Sequence, residues 1–508
     1  MGDVPSEGLA LRIAPQPDIT TDPVAGWVQL RPNKGSLQGW EKTLQTVEQT
    51  PIDPNMVDRQ GEVVGWSCSP QFAHDLSKDL ADAIAEPVLR CVGAHPGGKG
   101  QRVYRPTAIV DGGVGEDSLT VPANGDLPAK TIIKNRGYTN DANNGLFVTA
   151  ADSAANAIKV ATGTWIAEVP PDNATTGVWG FEGAADDIKI DAQGNLTSVV
   201  EDFTLRGIAV GTLLAFDDED ATHQFGTLGV FYAWVKSVSA HLVELENHAL
   251  PVGVVLGADA GAGKTIRVHI FSLYRNYPIL SASYDKKRVF GEIEWPGEGD
   301  DGTTRWTRFT GLGINKVDIA APLKQKITAT VQMIALDVTD ELDAASRETA
   351  GGVSRGDRAS TAFQPLATSM SNTATDLRFV RLLDPSGANI IPKINNWTLS
   401  LNNNVKPRDV QGKAGSDDHF FGTFQPSVKL QAYLTSPTQI SAAKNNTKLT
   451  WDVCVGNGDY LVAFRVPRTA LRNPKRTIPA NEQVMLDFDA PGFGHETTNV
   501  AIVMCIGE

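Results

Sequence analysis

The feature that most constrains this chain is the period-two alternation of its second half. Ile314–Ile319, Ile327–Ile334, Trp397–Leu401, Val428–Leu434, Tyr460–Val466, Val484–Phe488 and Val500–Met504 are rich in β-branched residues, and apolar and polar positions take turns in them. Alternation puts successive side chains on opposite faces of a strand, so such segments form sheets with one buried and one wetted face. Turn signals fall between them: Asn144-Gly145, Asp301-Gly302, Pro385-Ser386-Gly387 and Asn457-Gly458. The spacing of Leu80, Ala81, Ala83, Ile84 and Ala85 predicts one helix from about Asp75, ended or bent by Pro87. A weaker helical pattern covers Asp337–Glu348.

Texture divides the chain into regions. Residues 1–25 read as an N-terminal arm, rich in Pro, Asp and Thr. Residues 26–98 carry strands and the helix, and Pro96-Gly97-Gly98 breaks the pattern. Residues 99–278 are rich in Gly, Asn, Asp and Ala with short strands, which reads as a small inserted β-domain. Longer strands resume over 279–348, Thr349–Ser371 reads as a linker, and 372–508 holds a second set of long strands. Two internal echoes stand out. Residues 311–336 and 394–434 both read as strand, polar excursion and return strand. In the middle region, Asn144–Val148 leading to Ala157–Val160 and Gly229–Val235 leading to His241–Leu245 both read as hairpins.

Composition narrows the function. The 508 residues include 45 Lys and Arg against 59 Asp and Glu, a net charge of −14. A surface that grips DNA phosphates needs clustered cations, whereas an acidic surface lets DNA pass by like-charge repulsion. Cys68, Cys91, Cys454 and Cys505 form no C-x-x-C pair and read as buried, reduced thiols. No stretch approaches a membrane span, and Met1–Gly26 lacks the apolar run of a signal peptide. Met1-Gly2 with Ser6 fits the loose myristoylation pattern only by chance.

Apparent catalytic motifs have plainer readings. Ala258–Thr265 approximates a phosphate loop around Lys264, but Ile266–Ile270 alternates as a strand, so no helix N-terminus cradles phosphate. Asp186-Asp187, Asp217–Asp220, Glu298–Asp301 and Asp417-Asp418 lie in loops and lack EF-hand spacing. Gly65–Ser69 lacks the last glycine of a nucleophile elbow. The reading is that of a non-enzyme with no catalytic, cofactor or metal site. Cations gather at Lys286–Arg288 and Arg465–Arg476, and those of Arg465–Arg476 suit acidic loops of a neighbouring subunit better than nucleic acid.

The excursion Asn402–His419 is long, polar and set between two good strands, so contact with a neighbour is its leading use. Asn402, Lys406, Arg408, Asp409, Lys413, Asp417 and Asp418 are the candidate residues of an assembly loop between stacked rings, expected to be mobile in a free subunit.

Trp397–Asn404, Phe420–Phe424 and Val428–Leu434, with Arg136–Val148, Ala157–Val160 and Gly229–Ala240, resemble the tail tube (major tail) proteins of long-tailed, siphovirus-like bacteriophages over about residues 130–436. The resemblance implies a mainly β fold: tandem tail-tube-type β-sandwich domains with a flanking helix, plus the inserted small β-domain. The first tube-like domain would be 26–98 with 279–348, and the second 372–508. It also implies a structural virion protein, made in the host cytoplasm and located in the phage tail. Stacked rings of it would form a hollow tube conducting DNA to the host. Its partners would be copies of itself, in a homotrimeric ring with pseudo-sixfold symmetry or a hexameric ring, and other tail proteins. DNA would pass through the lumen without specific binding, and no membrane would be involved. An adhesin-like or carbohydrate-acting β-rich protein is the alternative; the first would call for a signal peptide and the second for convergent carboxylates.

Overall fold

The computed structural model of the chain describes chiefly residues 10–16, 27–47, 62–99, 102–246, 256–277, 281–295, 304–342, 371–478 and 483–507, apart from short gaps inside those spans. The elements open with β1 (Ala10–Pro15), β2 (Val28–Leu30), β3 (Thr43–Val47), β4 (Glu62–Ser67), β5 (Gln71–Asp75) and α1 (Lys78–Leu89). A run of short strands follows: β6 (Val103–Tyr104), β7 (Ala108–Val110), β8 (Asp117–Thr120), β9 (Thr131–Arg136), β10 (Gly145–Val148), β11 (Ala157–Val160), β12 (Thr175–Glu182) and β13 (Lys189–Ile190). It continues with β14 (Leu196–Thr197), β15 (Leu213–Phe216), β16 (Phe231–Val238), β17 (Leu242–Leu245) and β18 (Arg267–Ile270). Then come β19 (Ser272–Arg275), β20 (Val289–Trp295), β21 (Arg305–Ala321), β22 (Thr328–Ile334) and β23 (Asp337–Leu342). The last part holds β24 (Leu377–Leu383), β25 (Ile394–Asn402), β26 (Val405–Arg408), β27 (Asp418–Phe421), β28 (Gln425–Tyr433) and α2 (Pro437–Lys444). It ends with β29 (Leu449–Asn457), β30 (Tyr460–Thr469), β31 (Arg472–Thr477), β32 (Met485–Pro491) and β33 (Val503–Gly507).

The protein is mainly β and antiparallel, as its alternating segments require. Strand β21 joins its layers. It bends where Gly311 takes a φ of +63° and the register slips between Ile314 and Lys316. Its first half pairs with β20 and β23, in an outer layer β2-β1-β20-β21-β23. Its second half pairs with β22 and β25, in a long layer β5-β22-β21-β25-β28-β32-β31. A second outer layer runs β19-β33-β30-β29-β24. Val317, Ile319, Val331, Leu399, Leu401, Val428, Leu430 and Phe488 on the long layer share one core with Leu80, Ile84 and Val88 of α1 and with Trp451, Val462 and Phe464 of the second outer layer.

The layers are built from one pattern used twice. The first unit runs β1, residues 31–40, hairpin β3–β4, β5, α1, β20, β21, β22 and β23. The second runs β24, β25, hairpin β26–β27, β28, α2, β29, β30 with β31, β32 and β33. Their pairings correspond: β1·β20 to β24·β29, β20·β21 to β29·β30, β21·β23 to β30·β33, β5·β22 to β28·β32, and β21·β22 to β31·β32. The Gln38↔Gln71 bridge stands where β25·β28 stands in the second unit. Both helices are capped by a serine hydroxyl, Ser77 accepting from Leu80 N–H and Ser436 from Thr438 N–H.

Between α1 and β19, strands β6–β18 form a ten-stranded and a three-stranded sheet with two cores of their own. A third cluster joins Leu213, Ala215, Tyr232 and Trp234 of this segment to Cys454, Ala463 and Cys505 of the second outer layer. Ala463 alternates with Val462 and Phe464, which face the main core. The segment therefore packs on the face of that layer turned away from the long layer.

Several expectations need correction. The pattern over Asp337–Glu348 gives strand β23 as far as Leu342, because β21 offers an open strand edge beside it and pairing overrides weak helix propensity; 343–348 lie outside the described residues. Pro87 lies inside α1, which ends instead at Arg90 in the left-handed conformation (φ +56°), with its N–H bonded to the Glu86 carbonyl. Ala10–Pro15, assigned to an arm, is the buried strand β1. The repeat matches residues 31–47 and 62–89 to 394–444, not 311–336 to 394–434. Asn144–Val148 and Ala157–Val160 do not form a hairpin: β10 pairs with β9 and β11 with β8. The β16–β17 hairpin is present. The linker over 349–371 lies outside the described residues except for Ser371.

Candidate assembly surfaces

The long layer presents a face that its own core does not cover. Inward positions are apolar and buried; the alternate positions are partly exposed and mostly short and polar. They include Thr328, Thr330 and Gln332 on β22, Thr398, Ser400 and Asn402 on β25, Ser427, Lys429 and Gln431 on β28, and Asp487 and Asp489 on β32, with Ile334, Tyr433 and Met485 toward the ends of their strands. The carboxylates are tied down. Asp318 takes the Lys316 ammonium at 2.6 Å and the Ser400 hydroxyl, and Asp487 takes Gln431 Nε2 and Thr477 Oγ1, both at 2.8 Å. Asn473 Nδ2 donates to Asp489 at 2.9 Å. Arg472 and Lys475 of β31 stand opposite Asp489 and Asp487 in register, so with Lys316, Lys429 and Asp318 the face sets its cations beside carboxylates rather than leaving them clustered for phosphate.

The excursion after Asn402 is a β-hairpin. Val405 pairs with Phe421 and Arg408 with Asp418. Asp417 pairs with Arg408 at 2.9 Å and with Lys413; Ser416 Oγ donates to Asp409 at 2.7 Å. Lys413 and Arg408 hold the Asp417 carboxyl below its ordinary range. Asp418 binds Lys286 at 2.9 Å and Arg288. Burial raises its carboxyl, and these cations, led by the Lys286 hydrogen bond, outweigh burial and hold it well below the usual range. Arg408, Asp409, Lys413, Asp417 and Asp418 thus each have a partner within the chain. Lys406 stands across from Phe420, which is 63% exposed. Asn402 closes β25, in register with Lys316.

At the hairpin base, His419 is buried against Val405 and Gly313. Burial, with Arg288 adding to it, pushes its imidazole down to about 4. Asn403, also buried, donates from Nδ2 to the carbonyls of Val88 and Ile314, both at 3.0 Å. Arg90 at the end of α1 reaches the Gly422 carbonyl at 3.3 Å and lies over the rings of Phe421 and Phe424. These groups clamp the second unit's hairpin to the first unit's helix.

The sequence reading missed the hairpin β3–β4. Leu44, Val47, Val63 and Val64 are each more than half exposed on its two faces. Its described support is the main core, against which Trp66 packs, and the tip of the other hairpin. Trp66 N–H donates to the Ala414 carbonyl at 3.0 Å, and the Trp66 ring covers Gly415, where a Cβ would lie 2.4 Å from Cζ2. An isolated two-stranded hairpin with exposed valines is marginal in water, so this one is built to be covered. Its sequence signal was the alternation in Thr43–Val47 and Glu62–Ser67, on either side of a polar stretch.

The other motifs are structural. Residues after Thr265 form β18, and Lys264 donates to the Ala221 carbonyl at 2.7 Å. Asp187 accepts from Ser198, Val199 and Val200, fixing a turn, and Asp218 pairs with Arg267 at 3.2 Å. Arg465 pairs with Glu246 at 2.5 Å and Arg468 with Glu496 at 3.3 Å, while Arg472 lies over Phe493. Cys68, Cys91, Cys454 and Cys505 are buried thiols that form no disulfide. Among the described residues, no His, Cys, Asp and Glu group has the spacing of a metal site, and no helix is long and apolar enough to cross a membrane.

Residues 243–492 match the family described as phage tail tube protein. That stretch belongs to the phage tail tube protein family. It runs from β17 to the end of β32 and so contains nearly all of the long layer and the hairpin β26–β27. No curated protein matches the chain. The family is one of structural phage proteins, not of enzymes. A tail tube is a part of the virion tail, assembled from copies of its subunit together with other tail proteins.

Proposed function

We propose that this chain is the ring-forming subunit of a hollow tail tube, that the polar face of its long layer lines the lumen, and that DNA passes along that face to the host without specific binding. The observation that carries the reading is the long layer itself. One continuous sheet crosses both units and shows short, nearly charge-balanced polar groups on its free face. Two units per chain suit a ring of three copies with pseudo-sixfold symmetry; single-unit chains would need six. Counting the Gln38 bridge, each unit supplies four strand positions to the layer. At about 4.8 Å between strands and a tilt of about 40°, three chains close a barrel roughly 50 Å across, wide enough for a duplex.

The segment β6–β18 then lies on the outside of the tube, since it packs on the far side of the second outer layer. The hairpins β3–β4 and β26–β27 supply contacts between stacked rings, with Lys406, Val410 and Phe420 on the exposed side of the second. Synthesis takes place in the host cytoplasm and the mature location is the virion tail. Concentrated pure protein is expected to form rings or hollow tubes under negative stain. A strictly monomeric species at every concentration, with no such tube in the native particle, contradicts the proposal.

A further inference from the structure

The two outer layers carry the same row of charge. In the first, Arg12 of β1 stands opposite Glu292 of β20, which stands opposite Arg308 of β21. In the second, Arg381 of β24 stands opposite Asp452 of β29, which stands opposite Arg465 of β30. Their neighbours Leu11, Ile293 and Phe309, and Leu382, Val453 and Phe464, face the main core, so both rows point to the far side of their layers. Arg12, Glu292, Arg381 and Asp452 are buried there. Each row sets two guanidinium groups against one carboxylate, and a buried row of that kind calls for a further anion. The two units find it differently. In the first, Glu294, two residues along β20, takes Arg12 Nη1 at 2.5 Å. The second has Cys454 at that position, opposite Phe379 and Ala463 as Glu294 is opposite Ala10 and Trp306. Its further carboxylate comes from the inserted segment: Glu246, just past β17, takes Arg465 at 2.5 Å. Trp234 of β16 donates from Nε1 to Asp452 at 3.1 Å, and its ring lies under the Arg465 guanidinium, 5.0 Å away. Arg381 donates to the other Asp452 oxygen at 3.1 Å.

We infer that the row of the second outer layer is a docking site for the inserted segment, and that Glu246 and Trp234 are the residues that position β6–β18 on the body of the subunit. The apolar contact of Leu213, Ala215 and Tyr232 with Cys454, Ala463 and Cys505 supplies area but no direction. The row supplies the direction. A guanidinium left under this cover without its carboxylate is costly, so the segment seats where Glu246 meets Arg465 and Trp234 meets Asp452. The neck of the segment, where Ala94 bridges Leu273 and β19 pairs with β33, keeps it tethered when the contact opens.

The test uses the four buried thiols as reporters. Cys454 and Cys505 lie in the contact between segment and layer, while Cys68 and Cys91 lie in the main core. The native full-length chain is labelled with a thiol reagent and each site is read by mass spectrometry, in the parent, in Glu246→Gln, in Trp234→Phe and in Glu246→Gln combined with Arg465→Met. Glu246→Gln is expected to speed labelling of Cys454 and Cys505 by at least about tenfold relative to Cys68 and Cys91, and Trp234→Phe to do so more mildly. The double variant is expected to return most of the way to the parent, since no guanidinium then lacks its carboxylate under the cover. Labelling that keeps the parent's ratio between the two pairs of sites in Glu246→Gln overturns the docking site. Rates unchanged at all four sites mean that apolar contact alone holds the segment, and rates raised together mean that the row belongs to one common core. A double variant that labels as fast as Glu246→Gln overturns it too. The readout needs a single chain only, so the tube reading stands whichever way it falls.

Discussion

His419 and Asp418 sit side by side yet answer pH through opposite chemistry. The unfolded imidazole takes a proton near 6.5, whereas the buried one resists until about 4. Its contribution to stability is therefore complete above pH 6.5 and is lost as pH falls toward 4, at up to about 1.4 kcal/mol per pH step. His95, half-buried and pushed down to about 4 by desolvation, acts in the same window. His419→Phe, which keeps an aromatic ring against Val405, is expected to flatten the pH dependence of the melting temperature between 6.5 and 4; an unchanged slope contradicts this account. Asp418 works lower. Its depressed carboxyl stabilises the fold above about pH 4, and that contribution fades as acid protonates it. Asp418→Asn should cost about 1–3 kcal/mol in denaturant titration, because Lys286 and Arg288 lose a charged acceptor. Asp418 was legible in sequence as one of a charged cluster, but Lys286 and Arg288 stand some 130 positions away and only the fold reveals the pairing. Asn403 is a like case: its buried double donation depends on α1 and β21 meeting at one point.

The elements that read clearly were those whose pattern repeats over many residues. The long strands of the second half follow their alternation, and α1 follows its apolar spacing with Ser77 as cap. Ser77→Ala should cost about 1 kcal/mol, read from the melting curve, since it orphans an N–H of the first turn. Elements decided by neighbours read poorly. Strand β23 has helical composition and an open edge beside it, and the edge wins. The hairpin β26–β27 looked like a polar loop because Lys, Asp, Gly and Pro dominate it, yet its ends are held in register and its tip rests on Trp66. That tip gives a direct test of coupling between the hairpins. Gly415→Val forces a side chain into the Trp66 ring, so the hairpins must part. The subunit is expected to keep its melting transition within about 1 kcal/mol, as for other changes outside the core, while tube growth seen by electron microscopy falls sharply. Normal tubes from this variant would mean that the hairpin contact is incidental to stacking.

Over the whole molecule, duplication was visible in sequence only as an echo set in the wrong register. The paired units share topology, but the first is split by the β6–β18 segment and the second has only Asn445–Lys448 at that point, so no constant period survives. The polar face was legible position by position, in the outward residues of Trp397–Leu401 and Val428–Leu434, but that these strands share one layer with β5 and β31 needed the structure. A lumen built this way depends on Asp318, Asp487 and Asp489 offsetting Lys316, Lys429, Arg472 and Lys475 on the same face. Asp487→Lys combined with Asp489→Lys should make assembled tubes retain duplex DNA at low salt and release it as salt rises, the slope growing by about 0.9 for each new phosphate contact. Tubes of the parent chain should retain none. The most direct test of the central claim is the cross-section of the native tail tube at a resolution that separates strands. Three chains around six similar lobes are expected, with the face bearing Ser400, Ser427, Lys429 and Asp487 turned to the lumen and β6–β18 outside. A lumen lined by the outer layers or by β6–β18, with that face turned away, would contradict it.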